Sequence, residues 1–203
     1  MDQEKKQNHN ERMQRKKAVV DGAIERAQDE RGIVILITGN GKGKSTSAFG
    51  TLFRALGHGH RAGVVQFIKG MQSTGEVIFL QQHGLDSAVQ YHAMATGFTW
   101  ETQNKEKDQL AAQGVWQEAK RMLASDSYDV VLLDELTYMV AYHYLDVDDV
   151  VTALTNRPLH QHVIITGRGC HRALLEIADT VSEIKNVKHA FDSGIKAQKG
   201  IDW

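Results

Sequence analysis

A glycine-rich segment near the amino terminus has residue types that bind phosphate groups. Residues 35–46 read ILITGNGKGKST, an apolar run followed by a glycine-rich turn that ends in Lys44 and Ser45. Backbone N–H groups of such a turn converge on phosphate oxygens, a lysine adds a point charge, and a serine hydroxyl can bind Mg²⁺. The pattern departs from the usual one, because Thr38 stands where the first glycine is expected and Gly39 is the first glycine instead. The segment therefore predicts a phosphate site with an altered loop.

The candidate phosphate ligands follow one another along this loop: Gly39, Asn40, Gly41, Lys42, Gly43, Lys44, Ser45 and Thr46. We expect the N–H groups of Gly41, Gly43 and Lys44 to face the phosphates, because glycine permits close approach and unusual backbone angles. Lys42 supplies a second cation that the minimal motif does not require. The alternative is a chance glycine-rich turn. The strand-like run before the loop and the helix-like run after it favour the phosphate site.

A second apolar run ends in two acidic residues. Residues 129–139 read DVVLLDELTYM, so Asp134 and Glu135 stand at the end of a predicted buried strand. Strand ends of this kind hold the magnesium of a phosphate-binding fold. Asp134 is expected to bind the metal directly or through water, whereas Glu135 completes the metal shell, contacts the substrate or orients a nucleophile. Either acid alone would suit a solvated turn, but together with Ser45 of the upstream loop they predict a metal site.

Histidine and cysteine residues are weaker candidates. The pairs at residues 58 and 60 and at residues 160 and 162 alternate, but a structural zinc site needs four close ligands and the chain has one cysteine, Cys170. Arg168, in the segment GRGCH, follows a predicted strand at the ligand edge of the sheet. Two interpretations of Arg168 stay open: it contacts a phosphate, or it caps a turn.

Two aromatic residues stand in a polar segment. Phe98 and Trp100 lie within MATGFTWETQN, which begins at Met94. One interpretation is an anchor in the core. The other is an aromatic wall for a large flat ligand, and the pattern alone does not choose between them.

The composition of the whole chain restricts its class. Its 203 residues, with 41% hydrophobic and 24% charged content, are typical of a globular protein. A net charge of −1 gives no global field that would attract nucleic acid or an anionic membrane. No apolar run reaches membrane-spanning length, the start lacks the apolar core of a secretion signal, and a single cysteine forms no internal disulfide. We therefore expect a cytoplasmic protein.

The order of apolar and amphipathic runs predicts the architecture. Residues 1–17 have almost no apolar side chains, which predicts a mobile arm, and residues 18–203 form one domain that opens with a short helix at 18–28. Strand-like runs begin at residues 33, 62, 128, 162 and 180, and helix-like segments between them cover 44–56, 101–125, 146–156 and 171–178. This alternation predicts an α/β class, a P-loop NTPase-like (RecA-like) fold whose mainly parallel sheet has helices on both faces.

Several long segments together resemble one family. TGNGKGKSTSAFG, GVVQFIKG, MATGFTWETQN, VVLLDELTYMVAY, VIITGRGCHR and VKHAFDSGIKAQKGIDW are similar to the ATP:corrinoid adenosyltransferases of the CobA/BtuR type. The resemblance runs from about Ala18 to Trp203, and no block of the family pattern is missing. Ser45 stands where the family also uses threonine, and this replacement keeps the hydroxyl group.

The resemblance implies a reaction in which Co(I) of a reduced corrinoid attacks C5' of the ribose of ATP and inorganic triphosphate leaves. It implies that ATP binds in reverse relative to other phosphate-loop proteins, which agrees with an altered loop. Lys44 and Glu135 are then the catalytic residues, with Lys42, the loop N–H groups and Mg²⁺ or Mn²⁺ stabilising the departing triphosphate. Co(I) carries no proton, so Glu135 is a metal or substrate ligand rather than a base.

The resemblance also implies partners. Phe98 and Trp100 would close the lower face of the corrin and exclude an axial ligand, which makes Co(II) easier to reduce. The N-terminal segment would fold over the corrinoid, the protein would be a homodimer, and a flavodoxin-like protein would suit as electron donor.

Two alternative functions also fit these residues. One is a RecA-like ATPase or small-molecule kinase that acts at the γ-phosphate, and it predicts ADP rather than triphosphate as product. The other is a non-catalytic nucleotide-binding regulator, and it predicts ATP binding without turnover when reduced cobalamin is supplied.

Overall fold

The amino-terminal segment is helical over nearly its whole length. The computed structural model describes residues 2–68, 74–94 and 105–202, and divides into the units Met1–Arg31 and Gly32–Trp203. Helix α1, Asp2–Arg26, is longer than the predicted helix at 18–28 and continues across the predicted boundary at residue 17. Lysine, glutamate, glutamine and arginine favour helices without any apolar face, which explains the additional turns. The mobility of the arm stays a prediction.

The second unit is built on one sheet. Its strands are β1 Val34–Thr38, β2 Ala62–Gln66, β3 Val89–Ala93, β4 Val130–Asp134, β5 His162–Thr166 and β6 Thr180–Glu183. All pairings are parallel, in the order β3-β2-β4-β5-β1-β6. The central strands β2 and β4 are buried at every residue, as expected for apolar runs covered on two faces. The predicted α/β class and parallel sheet are confirmed.

Helices cover both faces of the sheet. They are α2 Lys44–Gly57, α3 Gly75–Gln82, α4 Lys105–Leu123, α5 Leu136–Ala141, α6 Val147–Thr155 and α7 Arg172–Ile177, with 3₁₀ turns at Leu85–Ser87 and Ala190–Ser193. One core cluster joins α2 and α3 to alternate strand residues, and the other joins α4 to α7 to the intervening residues. The period of two along each strand thus divides the core into two layers. Among the described residues, no helix is both long and apolar enough to cross a bilayer.

Within the described ranges, the sequence pattern did not predict the helices α3 and α5 or the strand β3. The edge strand β3 reads VQYHA, and only its first residue is buried, so it has no continuous apolar run. Helix α5 is six residues long, too short to show a helical period. The remaining predicted strands and helices agree with the structure to within a few residues, apart from residues 101–104, which lie outside the described residues.

Candidate active site

The glycine-rich loop joins the end of β1 to the start of α2. Gly39 has φ of +101°, and a Cβ atom there would lie 2.4 Å from the carbonyl oxygen of Ile184. Only glycine tolerates both conditions. Thr38 is the last residue of β1, and its carbonyl accepts the N–H of Ile184 at 2.8 Å. The first glycine therefore stands one residue later than usual because Thr38 still belongs to the strand and the chain turns sharply only after it.

The N–H of Gly41 has a different partner from the one that the sequence predicted. It donates to the carbonyl oxygen of Ile184 at 2.7 Å, so it faces the segment after β6 rather than an open phosphate site. A Cβ atom at Gly41 would lie 2.6 Å from the carbonyl oxygen of Lys185, which explains the glycine. The expectation that this N–H binds phosphate is not met in this conformation. Ile184 and Lys185 could not be connected to the loop from the sequence, because a strand pairing decides their position.

Lys44 is buried at the first residue of α2. Its side chain is 6% exposed, and its Nζ donates to the carbonyl oxygen of Gly41 at 2.9 Å. Burial, followed by the nearby charge of Arg168, lowers the pKa of Lys44, and Glu135 and Asp134 oppose this effect. These four side chains are therefore close enough to act on one another's charge. Ser45 follows in the same turn and is partly buried, whereas Asn40 and Thr46 are exposed.

Lys42 points to the C-terminal segment. Its Nζ lies 2.6 Å from Oδ1 of Asp202, and the other carboxylate oxygen of Asp202 accepts the N–H of Gln198 at 2.7 Å. Lys42 thus already has an anionic partner from the chain itself. A triphosphate would have to share this ammonium group or displace Asp202, a point that the loop motif alone does not show.

Three polar side chains lie on the same level of three neighbouring strands. Gln66, Asp134 and Thr166 end β2, β4 and β5, and the strand register pairs Gln66 with Asp134. Gln66 Nε2 donates to Asp134 Oδ2 at 2.8 Å, and the Thr166 hydroxyl donates to Asp134 Oδ1 at 2.6 Å. All three residues are nearly inaccessible, with exposed fractions of 4% or less. Both oxygens of Asp134 are thus engaged, which favours contact with a metal through water over direct coordination.

Glu135 has an unusual backbone and an unpaired carboxylate oxygen. Its φ is +62°, rare for a residue with a side chain, and its N–H donates to Thr166 Oγ1 at 2.9 Å. Within the described residues, its Oε2 atom is buried and has no hydrogen-bond partner. Burial, then the charge of Asp134, raises the pKa of Glu135 to about 7 against the opposing effects of Lys44 and Arg168. A strained, buried acceptor without a partner is typical of a ligand-binding position.

Arg168 is positioned by the turn after β5. Thr137 Oγ1 donates to the carbonyl oxygen of Arg168 at 2.7 Å. Gly167, with φ of +139°, lies so close that a Cβ atom there would be 2.2 Å from Thr137 Oγ1 and 3.2 Å from Glu135 Oε2. The turn therefore packs directly against the acidic strand end. Of the two interpretations of Arg168, a phosphate contact agrees with its position beside Lys44 and Glu135.

Among the remaining candidates, two lie outside the described residues and the others take no part in the contacts given above. Phe98 and Trp100 lie outside the described residues. His162 Nδ1 accepts the N–H of Ile33 at 3.2 Å, and the described residues contain no cluster of three or more histidine, cysteine, aspartate or glutamate side chains suited to a metal. Burial raises the pKa of the Cys170 thiol to about 11, so it is a poor nucleophile at neutral pH.

Four residues of this region were not predicted from the sequence: Gln66, Thr166, Thr137 and Asp202. A signal for the first two existed: each is a polar residue that closes an apolar strand run, as Asp134 does. Thr137 and Asp202 had no such signal, because their partners are 31 and 160 residues away in the chain.

Family models match the chain in two parts. Residues 30–203 match the family described as ATP:corrinoid adenosyltransferase BtuR/CobO/CobP, and residues 1–24 match the family described as Cob(I)alamin adenosyltransferase N terminal. The two matches meet near the division between α1 and the sheet unit.

Relatives of similar length agree with the family models. The chain is 62% identical over 195 residues to the corrinoid adenosyltransferase of Escherichia coli K12, covering 96% of this chain and 97% of the relative. It is 52% identical over 200 residues to that of Pseudomonas aeruginosa, with 98% of both covered. Among solved structures, the flagellar accessory protein FlaH of Methanocaldococcus jannaschii matches with a TM-score of 0.51 at 16% identity, covering 78% of this chain and 73% of that chain. That likeness concerns the fold alone, whereas the family models and relatives show that the chain belongs to the ATP:corrinoid adenosyltransferase family.

Proposed function

We propose that this protein transfers the 5'-deoxyadenosyl group of ATP to the Co(I) centre of a reduced corrinoid and releases triphosphate. Co(I) attacks C5' of the ribose, the bond between C5' and its phosphate-side oxygen breaks, and the electron pair leaves with the triphosphate. The observation that supports this proposal best is the buried Lys44, which shares one site with Asp134, Glu135 and Arg168 in a member of the adenosyltransferase family.

The charges of the site fit a departing triphosphate. Negative charge develops on the leaving group, and preorganised cations stabilise such charge most where water is excluded. Lys44 is 6% exposed and Arg168 acts on its pKa, so both cations would face the same group. In-line attack at the γ-phosphate is unnecessary for this chemistry, which agrees with a loop whose Gly41 N–H donates to the protein backbone.

A divalent cation fits the oxygen groups of the site. We propose that Ser45, Asp134 and Glu135 would hold Mg²⁺ or Mn²⁺, with Asp134 acting through water because both of its oxygens accept hydrogen bonds. The buried Oε2 of Glu135, without a partner among the described residues, supports this assignment. When bound, the cation would neutralise charge on the triphosphate.

The corrinoid would bind beside Phe98 and Trp100, whose rings we propose as the wall that excludes an axial ligand of cobalt. The N-terminal helix would cover the corrinoid, and the active protein would be a homodimer that receives electrons from a flavodoxin-like donor. These proposals follow from membership in the family and from the residue types present.

An anaerobic assay with ATP, Mg²⁺ and chemically reduced cob(I)alamin tests the function. We expect adenosylcobalamin and triphosphate in equal amounts. ADP and inorganic phosphate as products would instead indicate a RecA-like ATPase or kinase, and bound ATP without any product would indicate a nucleotide-binding regulator. Heat-denatured protein and an assay without cobalamin serve as controls for chemical adenosylation and for background hydrolysis.

A further inference from the structure

A chain of two hydrogen bonds leads from Tyr91 of the edge strand β3 to Asp134 at the acidic strand end. The Tyr91 hydroxyl donates to Gln66 Oε1 at 2.5 Å, and Gln66 Nε2 donates to Asp134 Oδ2 at 2.8 Å. Gln66 and Asp134 are 4% and 3% exposed, so the bond between them is shielded from water, and the bond from Tyr91 is partly buried. In the sheet Tyr91 pairs with Val64, two residues before Gln66 on the same strand, and its long side chain spans that distance.

The direction of each bond in this chain is determined by chemistry. An aspartate carboxylate only accepts hydrogen bonds, so the Gln66 amide must turn its nitrogen to Asp134 and its oxygen to Tyr91. The Tyr91 hydroxyl must then donate. Burial, followed by the charges of Asp134 and Glu76, raises the pKa of Tyr91, so the phenol keeps the proton that it donates. Asp134 therefore determines which way the amide faces, and Tyr91 holds the amide there by donating to its oxygen.

The second oxygen of Asp134 is held from the other side. The Thr166 hydroxyl donates to Oδ1 at 2.6 Å and accepts the N–H of Glu135 at 2.9 Å. Asp134 is thus held between β2 and β5, and its position is connected through Thr166 to the backbone of Glu135. A rotation of the carboxylate would break at least one of these bonds.

We propose that Gln66 and Tyr91 are positioning residues that orient the Asp134 carboxylate toward the divalent cation of bound ATP. This inference rests on the proposed function only in placing a cation beside Asp134 and Glu135. Partners that orient a metal-side carboxylate commonly change metal affinity about 10- to 100-fold when lost, and Tyr91, one bond further away, is expected to act more weakly.

The binding of Mn²⁺ in the presence of ATP and the absence of corrinoid tests this inference. Electron paramagnetic resonance of free Mn²⁺ measures affinity without any turnover. We expect Tyr91→Phe to weaken Mn²⁺ binding about three- to tenfold and Gln66→Met to weaken it at least as much. Because Tyr91 acts through Gln66, adding Tyr91→Phe to Gln66→Met should cause no further loss.

Tyr128→Phe is a matched control. Its hydroxyl donates to Gln90 Oε1, so the change removes a hydrogen bond from tyrosine to glutamine that does not involve Asp134. We expect Mn²⁺ affinity to stay within twofold of the wild type. Urea unfolding of every variant then separates a loss of stability from a loss of metal affinity, and Gln66→Met alone supplies the test if Tyr91→Phe does not fold.

The outcomes are distinct. Folded Tyr91→Phe and Gln66→Met proteins with wild-type Mn²⁺ affinity would overturn the inference. The hydrogen bonds from Tyr91 through Gln66 to Asp134 would then have only a structural role. Wild-type protein that binds no Mn²⁺ with ATP would overturn it as well. Failure of the adenosyl transfer itself would appear in the product assay, as ADP in place of triphosphate, while the Mn²⁺ measurements would still support or contradict the positioning role.

Discussion

Opposite charges meet at the centre of the site, and burial disfavours the charged form of both. The pKa of Lys44 is lowered and that of Glu135 is raised, each mainly by burial. Arg168 lowers both values, while Asp134 raises both. The site is therefore prepared for an incoming anion with its cation, since the charges of both would return Lys44 and Glu135 to their ionised forms.

Lys44→Ala should remove adenosyl transfer without unfolding the protein. The change takes away the principal buried cation of the loop, and we expect a rate at least about a hundredfold lower at saturating ATP. Lys42→Ala is the comparison, because Lys42 is exposed and paired with Asp202, and its loss should cost less than about tenfold. A folded Lys44→Ala protein with near-normal turnover would contradict the role of this lysine.

Glu135 should make the metal-free protein less stable as the pH rises. Its pKa is raised from 4.5 to about 7, so between these values the folded form keeps a proton that the unfolded form has lost, and the free energy of unfolding falls with increasing pH. Glu135→Gln should therefore gain stability relative to the wild type between pH 5 and pH 8, by at most about 3 kcal/mol. Urea midpoints in EDTA measure this difference. Glu106→Gln, at an exposed position on α4, should show no such trend.

Phe98→Ala and Trp100→Ala should affect cobalt reduction more than adenosyl transfer. If their rings exclude an axial ligand, activity from cob(II)alamin with a weak reductant should fall more than activity from cob(I)alamin supplied ready-made. Phe49→Leu, a change at a buried core residue, should depress both assays alike through lost packing. If the two aromatic variants lost equal activity in both assays and still removed the axial ligand of cob(II)alamin normally, the proposal that Phe98 and Trp100 exclude this ligand would be contradicted.

At the scale of elements, the start of one helix, the ends of two strands and one turn build the site. Lys44 begins α2, Asp134 and Thr166 end neighbouring strands, and the turn at Gly167 packs on Thr137 in the first turn of α5. Because the strands are parallel, their carboxyl ends meet at one edge of the sheet. Successive side chains of a strand point to opposite faces, and this alternation places Asp134 and Thr166 on the face that α2 covers.

Gly167→Ala should damage the site through the turn that it forms. The new methyl group would meet Thr137 Oγ1 at 2.2 Å at a backbone φ of +139°, so we expect a loss of about 1–3 kcal/mol in unfolding free energy. Gly114→Ala is the matched control, because Gly114 is exposed in α4 and its methyl group meets nothing within 4 Å. That change should stabilise the protein by about 0.5–1 kcal/mol. Thermal unfolding of both variants measures whether the free energy of unfolding falls for Gly167→Ala and rises for Gly114→Ala.

At the scale of the whole molecule, the core belongs to the unit that contains the sheet. Every buried hydrophobic residue among those described lies at or after Val34, while Met13, Val19, Val20 and Ile24 of α1 are exposed. The two family models divide the chain near the same place. We therefore expect the unit that contains the sheet to provide the stability and to bind the nucleotide. We expect the unit that contains α1 to contribute to corrinoid binding.

A chain that begins at Gly32 should fold and bind ATP. The sheet and both core clusters are retained, so we expect cooperative unfolding and ATP affinity within about threefold of the full chain, together with a raised KM for cob(I)alamin. Isothermal titration and steady-state kinetics provide these values. If the fragment did not fold, or if its affinity for ATP and its use of cob(I)alamin fell equally, α1 would instead be required for the stability of the sheet unit.

The sequence by itself determined the class of fold, the loop, the acidic strand end and the family. These features are local: a run of apolar residues predicts a strand, and a short motif predicts phosphate binding whatever lies far away in the chain. Lys44, Asp134 and Glu135 could be named for this reason.

Only the tertiary structure decided how these residues are connected. The N–H of Gly41 turns to Ile184 because β6 pairs with β1, Lys42 meets Asp202 at the other end of the chain, and Tyr91 reaches Asp134 through Gln66. Each of these contacts joins elements that the order of strands brings together, and strand order is set by packing of the whole sheet. A motif defines the chemistry that a residue can perform, whereas the fold decides which partners are left for it.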